Sequence, residues 1–537
     1  MTVRPAPLGT HATAVSLLRE AARVNRDVEA YIEPRGADGR PRRAITFGQL
    51  DRAADGVAAH LATLGVHKGD VVCLMLPSSI DYAVAYAALL RLGAITSGVN
   101  PRLGPAEVTS IVERTRPVLV VTEHEPPAML ALGDAAVPMV TVGDLMAHRD
   151  DEPLAVWPEL SANDPVAVVW TSGTTGFPKG ALFDHANLAA VAAGTDVLSQ
   201  PGDRRLSPLP FAHVGYMTRV WDEIAHGVTT VITPTPWRAE DAIRIISEES
   251  ITVAQGVPTQ WALMLARPEL GQAGTDISSL RIVSSGAARM SAAQVAELRA
   301  RLGVPVVVRY TSTESSLGTG TTLATSDEEV ATTVGQPVPG VELAIVDDEG
   351  QAVEDGAIGR VLLRSGAAMR GYWSQGPGRG RRLEELLDRA ATAAVVSDEG
   401  WVTTGDFGRL SPAGNLQLSG RSHERYIRGG YNVYPAEVEE VLSSHPSVDR
   451  AAVVGAADPI LGEIGVAVVV LAAGAQAPEL VDLRAHCQAR LSDYKAPDAL
   501  VVVDELPLTP MMKVDPKRLA VLAERAAQER LDARSRQ

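Results

Sequence analysis

The sequence predicts an α/β protein with a large N-terminal domain of layered α/β sheets, a β-rich subdomain, and a small C-terminal α+β domain. Its 537 residues exceed what one hydrophobic core usually supports. Helical and strand-like segments alternate over most of the chain, which indicates layered α/β sheets. From about Val334 short strands and turns replace this alternation, and a compact unit follows Gly420. We therefore expect domains at 1–420 and 421–537.

The alternation begins at residues 44–122. Its first part is a helix over Leu50 to Leu64, the strand GDVVCLMLP, a helix over Asp81 to Leu92, the strand AITSGV, another helix and the strand PVLVV. PVAVVW is one more apolar strand, and a glycine-rich turn follows it. The second part is TTVITP, a helix near Ala239 to Glu249, ITVAQGVP, a helix after Pro258, LRIVSSGAA, a helix over Ser291 to Leu302 and PVVVRY.

Short strands dominate the next region, among them GVELAIVDDEGQAV, GAIGRVLLRS and GNLQLSG. Between them the basic, glycine-rich segment Ser374 to Arg382 is expected to be a mobile surface insertion before a charged helix, LEELLDRAATAA. The C-terminal unit is predicted to contain a helix over Ala436 to His445, strands AAVVGA and VAVVVLA, a helix over Pro478 to Leu491 and the strand ALVVV.

Composition and charge exclude several classes of protein. The net charge of −16 argues against a nucleic-acid-binding surface, because phosphate backbones are bound through basic patches. The most apolar long segment, Tyr82 to Val99, contains Arg91 and glycines, so no membrane span is expected. Two distant cysteines and an N-terminus without a secretory pattern favour a cytoplasmic location.

The segment VVWTSGTTGFPKG carries the strongest chemical signal. Glycines let a backbone approach an anion closely, and amides and hydroxyls can surround its oxygens, so this turn is suited to a polyphosphate. A Walker loop needs glycine, lysine and Ser or Thr in direct succession, whereas Lys179 lies between Pro178 and Gly180. The sequence therefore predicts a phosphate loop of another kind.

Three further polar clusters follow apolar segments. YTSTESS offers the aromatic Tyr310 and the carboxylate of Glu314 after a strand, where ligands gather in open α/β sheets. WVTTGDFG is expected to place Asp406 in a tight turn, where a carboxylate can accept two ribose hydroxyls. PLTPMMKVDPKRL places Lys513 in a proline-bounded loop.

Taken together, these segments resemble the adenylate-forming superfamily of acyl-CoA synthetases, aryl-CoA ligases, luciferases and nonribosomal-peptide adenylation domains. The resemblance covers nearly the whole chain and implies a mobile C-terminal lid domain. The family loop that holds the β- and γ-phosphates of ATP is matched by Thr171, Ser172, Gly173, Thr174, Thr175, Gly176 and Lys179. The adenine site is matched by Tyr310 and by the backbone of Ser285, Gly286 and Ala287.

The resemblance also implies the remaining roles. Asp406 and Arg421 match the ribose-binding pair, Thr313 a phosphate-contacting hydroxyl, and Glu314 the Mg²⁺ ligand. His213 matches the gate beside the acyl site, and Lys513 the lysine that catalyses adenylation. Such groups are needed because a carboxylate must attack a phosphate that is itself negative.

For the second half-reaction the resemblance implies that the C-terminal domain rotates about a hinge near Glu424. That rotation would withdraw Lys513 and bring Gly429 and Gly430 to a tunnel for the thiol of coenzyme A. Glu424 replaces the usual Asp or Lys, and Met512 replaces the glycine that usually precedes the catalytic lysine. Because glycine adopts backbone angles that are closed to methionine, the loop that presents Lys513 is expected to differ from that of the family.

Three functional hypotheses remain open. The first is an acyl- or aryl-CoA synthetase that uses ATP, Mg²⁺ and coenzyme A on a small-molecule carboxylic acid of open type. The second keeps adenylation but changes the acceptor, as in carrier-protein loading or in the activation of nitrite, another oxyanion, for diazotisation of an aryl amine. The third is an inactive nucleotide-binding protein, against which the presence of Lys179, Glu314, Asp406 and Lys513 argues.

Overall fold

The structure is a computed structural model that describes residues 3–6, 13–124, 137–171, 178–194, 197–272, 274–286, 290, 292–421, 426–428, 431–509 and 514–535. The helices are α1 (Ala14–Val24), α2 (Phe47–Thr63), α3 (Ile80–Arg91), α4 (Pro105–Thr115), α5 (Val142–Met146), α6 (His185–Ala193), α7 (Val214–Met217), α8 (Val220–His226), α9 (Ala239–Glu248), α10 (Pro258–Leu265), α11 (Ala292–Leu302), α12 (Asp327–Thr332), α13 (Leu383–Leu386), α14 (Arg389–Ala393), α15 (Pro435–Ser443), α16 (Leu480–Gln488) and α17 (Pro516–Ser535).

The strands of the first two thirds of the chain are β1 (Glu29–Glu33), β2 (Arg43–Thr46), β3 (Val71–Met75), β4 (Ile95–Gly98), β5 (Leu119–Thr122), β6 (Met139–Thr141), β7 (Pro165–Trp170), β8 (Gly180–Asp184), β9 (Arg204–Ser207), β10 (Thr229–Ile232), β11 (Val253–Gly256), β12 (Ile282–Gly286), β13 (Val306–Tyr310), β14 (Thr319–Gly320), β15 (Gln336–Pro337) and β16 (Val341–Val346). The remaining strands are β17 (Gly359–Ser365), β18 (Gly371–Tyr372), β19 (Val402–Leu410), β20 (Leu416–Arg421), β21 (Tyr426–Arg428), β22 (Tyr431–Val433), β23 (Val448–Asp458), β24 (Gly462–Leu471) and β25 (Ala499–Val503).

A seven-stranded sheet has the order β18-β8-β7-β4-β3-β5-β6. The strands from β7 to β6 are parallel, and β8 and β18 extend the sheet in antiparallel pairing. Strands β4 (ITSG) and β5 (LVVT) are buried throughout, which explains why neither shows an alternation of apolar and charged residues. The phosphate-loop motif connects β7 to β8, so this sheet positions both ends of the loop.

A nine-stranded sheet has the order β15-β14-β13-β12-β11-β9-β10-β1-β2. Strands β11, β12 and β13 are parallel neighbours, so their carboxyl ends lie at one edge. In the register, Gly256 lies opposite Ser285, and Gly286 lies opposite Arg309. The largest hydrophobic core includes helices α1, α2, α3, α6 and α8 and strands of both sheets.

The predicted β-rich subdomain is a four-stranded antiparallel sheet in the order β16-β17-β19-β20. The prediction that Asp406 occupies a tight turn is wrong, because Asp406 lies inside strand β19. Gly405 has a positive φ of 77° within an irregularity of the β17–β19 register, so the TTGD sequence forms a bulge in a strand. A bulge and a turn both favour glycine, and the local sequence does not distinguish them.

The smaller C-terminal region has its own sheet, in which β22, β21, β24 and β23 are successive neighbours and β25 pairs with β24. One core lies among α15, α16 and the sheet, and another involves α17. The two-part α/β architecture is therefore confirmed, whereas the boundary at residues 420 and 421 stays a prediction. No helix in the described ranges combines the length and apolar character that a membrane crossing requires, and the cytoplasmic location also stays a prediction.

The basic segment at 374–382 is held against the N-terminal domain at defined points. Arg379 pairs with the carboxylate of Asp70, which is only 2% exposed, and the amide of Gly376 donates to the carbonyl oxygen of Arg114 at 2.8 Å. The predicted charged helix after it is two short helices, α13 and α14. The break occurs because Asp388 caps α14, with its carboxylate accepting from the amide of Ala391 at 3.0 Å.

Candidate active site

Thr171 and Lys179 close the base of the phosphate loop. The amide of Thr171 donates to the carbonyl oxygen of Lys179 at 2.9 Å, and the amide of Lys179 donates to the Thr171 hydroxyl at 3.2 Å. The two residues thus fix where the loop leaves β7 and enters β8. Its central residues Ser172, Gly173, Thr174, Thr175 and Gly176 lie outside the described residues.

Tyr372 joins two of the predicted site residues and was missed by sequence reasoning. Its hydroxyl donates to Oε1 of Glu314 at 2.6 Å, and its ring centroid lies 5.2 Å from Nζ of Lys179. Burial raises the pKa of the phenol, and the negative Glu314 raises it further, so Tyr372 stays a donor at neutral pH. The one available signal was the pair Tyr372-Trp373 in a chain with only 4% aromatic residues.

Two of the predicted adenosine-binding residues, Tyr310 and Asp406, come together at the carboxyl end of β13. The Tyr310 hydroxyl donates to Oδ2 of Asp406 at 2.5 Å, which joins β13 to β19. Asp406 is 5% exposed, and Arg421 lies directly opposite it in the β19–β20 register. Ser285 is buried, and its hydroxyl has no hydrogen-bond partner within the described part of the chain.

The segment Tyr310 to Ser316 is also tied to the predicted acyl gate. Ser316 has a positive φ of 56°, uncommon for a residue with a side chain, and its buried hydroxyl lies 2.8 Å from that of Thr218. Thr218 ends α7, the short helix that His213 caps by accepting from the Gly215 amide at 3.2 Å. The structure thus connects the loop that carries Thr313 and Glu314 to the His213 segment.

Several predicted site residues cannot be placed. Ala287, Gly429, Gly430 and Lys513 lie outside the described residues, as do Glu424 and Met512, and the side chain of Arg421 is not described. Their roles stay predictions, as do those of the residues described above.

The Glu314 carboxylate is suited to binding Mg²⁺. The described residues contain no group of three or more His, Cys, Asp or Glu side chains that could hold a metal by themselves. Mg²⁺, however, is usually held by one or two carboxylates together with substrate phosphates. Glu314 accepts from the Tyr372 hydroxyl, and the Tyr372 ring in turn contacts Lys179 at the end of the phosphate loop, so one carboxylate together with substrate phosphates could hold the ion.

Known proteins share this architecture. The AMP-binding enzyme family model matches residues 18–373, and the AMP-binding enzyme C-terminal domain model matches residues 437–513. The indoleacetate–CoA ligase of Aromatoleum aromaticum is 32% identical over 506 residues, which cover 91% of this chain and 95% of that protein. The long-chain-fatty-acid–CoA ligase FadD13 of Mycobacterium tuberculosis is 30% identical over 512 residues, which cover 93% and 96%.

A solved structure of a related enzyme has the same fold. The anthranilate CoA ligase AuaEII in complex with anthranoyl-AMP superposes with a TM-score of 0.83 at 27% identity, over 97% of this chain and 99% of that one. The fold and the family models define an ATP-dependent adenylate-forming ligase that produces AMP and diphosphate. The chain belongs to the AMP-binding enzyme family.

Proposed function

We propose that the protein is an acyl- or aryl-CoA synthetase. It activates a carboxylic acid with ATP as the acyl-adenylate, releases diphosphate, and transfers the acyl group to coenzyme A. The observation that carries this proposal is the set of contacts that Tyr372 makes with Lys179 and Glu314, in a chain with relatives that are named as CoA ligases. Those relatives act, by name, on an aromatic acid and on long-chain fatty acids, so the acid class stays open.

In the adenylation step the carboxylate oxygen attacks the α-phosphate, and the bond to the departing diphosphate breaks. Lys179 and the loop from Thr171 to Gly176 bind the β- and γ-phosphates, and the Thr313 hydroxyl contacts a phosphate. Mg²⁺, when bound at Glu314, supplies positive charge that offsets the charge of the departing diphosphate. The role assigned to Lys513 is to reduce the repulsion between the two anions that react.

The remaining assignments concern the nucleotide and the acid. The Tyr310 ring packs on adenine beside the Ser285, Gly286 and Ala287 backbone. The ribose hydroxyls bond to Asp406 and Arg421. Asp406 is already oriented, because one of its carboxylate oxygens accepts from Tyr310. His213 borders the acid, and its imidazole is fixed by the helix cap that it forms.

The thioester step uses the C-terminal domain in a second orientation. Rotation near Glu424 removes Lys513 and brings Gly429 and Gly430 to the pantetheine arm, where the absence of side chains permits close backbone approach. The thiol of coenzyme A then attacks the acyl carbon, and AMP leaves. Residues 421–537 act as the mobile lid in this proposal.

The test is a panel of short-chain, long-chain and aromatic acids, with nitrite plus an aryl amine as a further arm. ATP–diphosphate exchange measures adenylation, and AMP formation with and without coenzyme A measures transfer. We expect exchange with at least one carboxylic acid and faster AMP release when coenzyme A is added. If exchange occurs but coenzyme A never accelerates AMP release, the acceptor is a carrier protein or an amine, and the thioester assignment is wrong.

A further inference from the structure

We propose that Tyr372 is a positioning residue for adenylation. Its hydroxyl orients the Glu314 carboxylate toward Mg²⁺, and its ring holds the Lys179 ammonium beside the same phosphates. The inference rests on the roles proposed above for Lys179 and Glu314. It adds a residue outside the motifs that predicted the site.

The first support is that Tyr372 contacts Glu314 through its hydroxyl and Lys179 through its ring. The phenol hydroxyl engages Oε1 of Glu314 at 2.6 Å, so the other carboxylate oxygen is the one offered to a cation. The ring face lies 5.2 Å from Nζ of Lys179, within the range of a cation–π interaction. A cation held by a ring keeps its three N–H donors for phosphate oxygens.

The second support is electrostatic. A lysine and a glutamate that serve the same phosphates attract each other, and a direct ion pair would neutralise both before the nucleotide arrives. Glu314 and Lys179, both among the described residues, form no such pair, and Tyr372 contacts each of them instead. Tyr372 therefore contacts both groups, which are not paired with each other.

The third support is the rigidity of the segment around Tyr372. The amide of Met369 donates to the Glu314 carbonyl oxygen at 2.8 Å, so this segment binds the backbone of Glu314 as well as its side chain. Strand β18 pairs with β8, where Tyr372 lies opposite Ala181, two residues after Lys179. The Tyr372 amide donates to the Thr392 hydroxyl at 3.0 Å, which fixes the tyrosine in place.

The test compares Tyr372→Phe, Tyr372→Leu and Glu314→Gln with the unaltered enzyme. The matched control is Tyr86→Phe, which also removes a buried phenol hydroxyl, one that donates to the Met217 carbonyl oxygen at 2.9 Å. Binding of Mn²⁺·ATP to the full chain, followed by the electron paramagnetic resonance of Mn²⁺, needs no acid substrate. The Mg²⁺ dependence of ATP–diphosphate exchange supplies a kinetic readout, and thermal unfolding monitors the fold.

We expect Tyr372→Phe to weaken Mn²⁺·ATP binding and to raise the half-saturating Mg²⁺ concentration about 10-fold, the usual scale for losing an outer partner of a metal ligand. The KM for the acid should stay unchanged. Tyr372→Leu also removes the ring and should weaken ATP binding about 3-fold further. In a Glu314→Gln background, Tyr372→Phe should have little additional effect on metal binding, because the two changes disrupt one interaction.

The inference is overturned if Tyr372→Phe lowers thermal stability as Tyr86→Phe does but leaves both metal readouts unchanged. If Glu314→Gln also leaves Mn²⁺·ATP binding unchanged, the Glu314 assignment itself fails. Absence of exchange with every acid alongside normal Mn²⁺·ATP binding would refute only the proposed reaction. Should Tyr372→Phe not fold, Thr392→Val loosens Tyr372 without altering it, and unchanged metal binding in that variant would equally overturn the inference.

Discussion

Lysine is rare in this chain, with five residues against 44 arginines, and two of the five lie in motifs of the site. Lys179 follows the phosphate loop, and Lys513 lies more than 300 residues later. A compact ammonium on a flexible stem can follow charge as it moves between two anions, which a planar guanidinium does less readily.

Lys513→Ala is expected to lower the rate of ATP–diphosphate exchange roughly 100- to 1000-fold, the usual effect of removing one preorganised donor to a transition state. Lys517→Ala is the control, because Lys517 lies in helix α17 and is expected to have no role in the reaction. Equal exchange rates for Lys513→Ala and Lys517→Ala would remove Lys513 from the mechanism.

His185 makes folding stability depend on pH. It is fully buried, its Nδ1 accepts from the amide of Ala14 at 3.2 Å, and its Nε2 has no partner within the described ranges. Burial lowers the pKa of His185 from 6.5 to about 4, opposed by Asp164 and assisted by Lys68. Between pH 6.5 and about 4, His185 is therefore protonated in the unfolded chain but neutral in the folded chain. The free energy of unfolding consequently decreases as the pH drops from 6.5 toward 4.

The measurement is the free energy of unfolding in urea at pH 7 and at pH 4.5 for the unaltered chain and for His185→Gln. The quantity compared is the difference in the free energy of unfolding between the two proteins at each pH. This difference cancels the contribution of Glu223, whose raised pKa changes stability with pH in the sense opposite to that of His185. The stability advantage of the unaltered chain should shrink by about 2 to 3 kcal/mol on acidification. A pH-independent difference would show that His185 does not titrate in this range.

At the scale of elements, the bulge in β19 determines where the Asp406 carboxylate lies. Gly405 adopts a φ of 77°, a region that costs a residue with a side chain about 1 to 2 kcal/mol. The Thr404 hydroxyl donates to the Val361 carbonyl oxygen at 2.8 Å and accepts from the Asp406 amide at 3.1 Å. The bulge is therefore internally braced beside Asp406.

Gly405→Ala should lower the free energy of unfolding by about 1 to 2 kcal/mol and raise the KM for ATP, because Asp406 shifts with the bulge. Gly414→Ala introduces the same strain at a φ of 79°, between β19 and β20 and away from Asp406. It should lose similar stability with the KM for ATP unchanged. Urea unfolding gives the free energy of unfolding, and exchange kinetics give the KM for ATP. If the KM for ATP changes equally in the two variants, the bulge in β19 has no specific role in nucleotide binding.

Helices and strands were predicted correctly where the sequence pattern is compatible with a single type of secondary structure. The apolar strands β3, β5 and β7 and the amphipathic helix α9 follow from hydrophobic periodicity. The prediction failed at TTGD, since glycine suits a turn and a bulge equally, and at LEELLDRAATAA, where a capping aspartate interrupts a helical pattern. The sequence also did not reveal Tyr372 as a site residue. Tyr372 is placed near Lys179 by the pairing of β18 with β8, and β8 lies nearly 200 residues earlier in the chain.

At the scale of the whole molecule, the proposed reaction needs the C-terminal domain in two orientations. Glu424→Pro should leave ATP–diphosphate exchange within about 3-fold while AMP release with coenzyme A falls at least about 10-fold, because proline fixes φ at the expected hinge. Glu424→Ala is the control and should keep both rates. Equal losses in the two half-reactions for Glu424→Pro would place the hinge elsewhere.

The sequence by itself determined the two-part α/β architecture, the family and the identity of most candidate site residues, because these depend on local periodicity and on short motifs of fixed chemistry. Only the tertiary structure decided that Asp406 lies in a strand against Tyr310 and that Tyr372 stands between Lys179 and Glu314. The reason is that those contacts join segments 58 to 193 residues apart in the chain, and which side chains meet is set by sheet order and register.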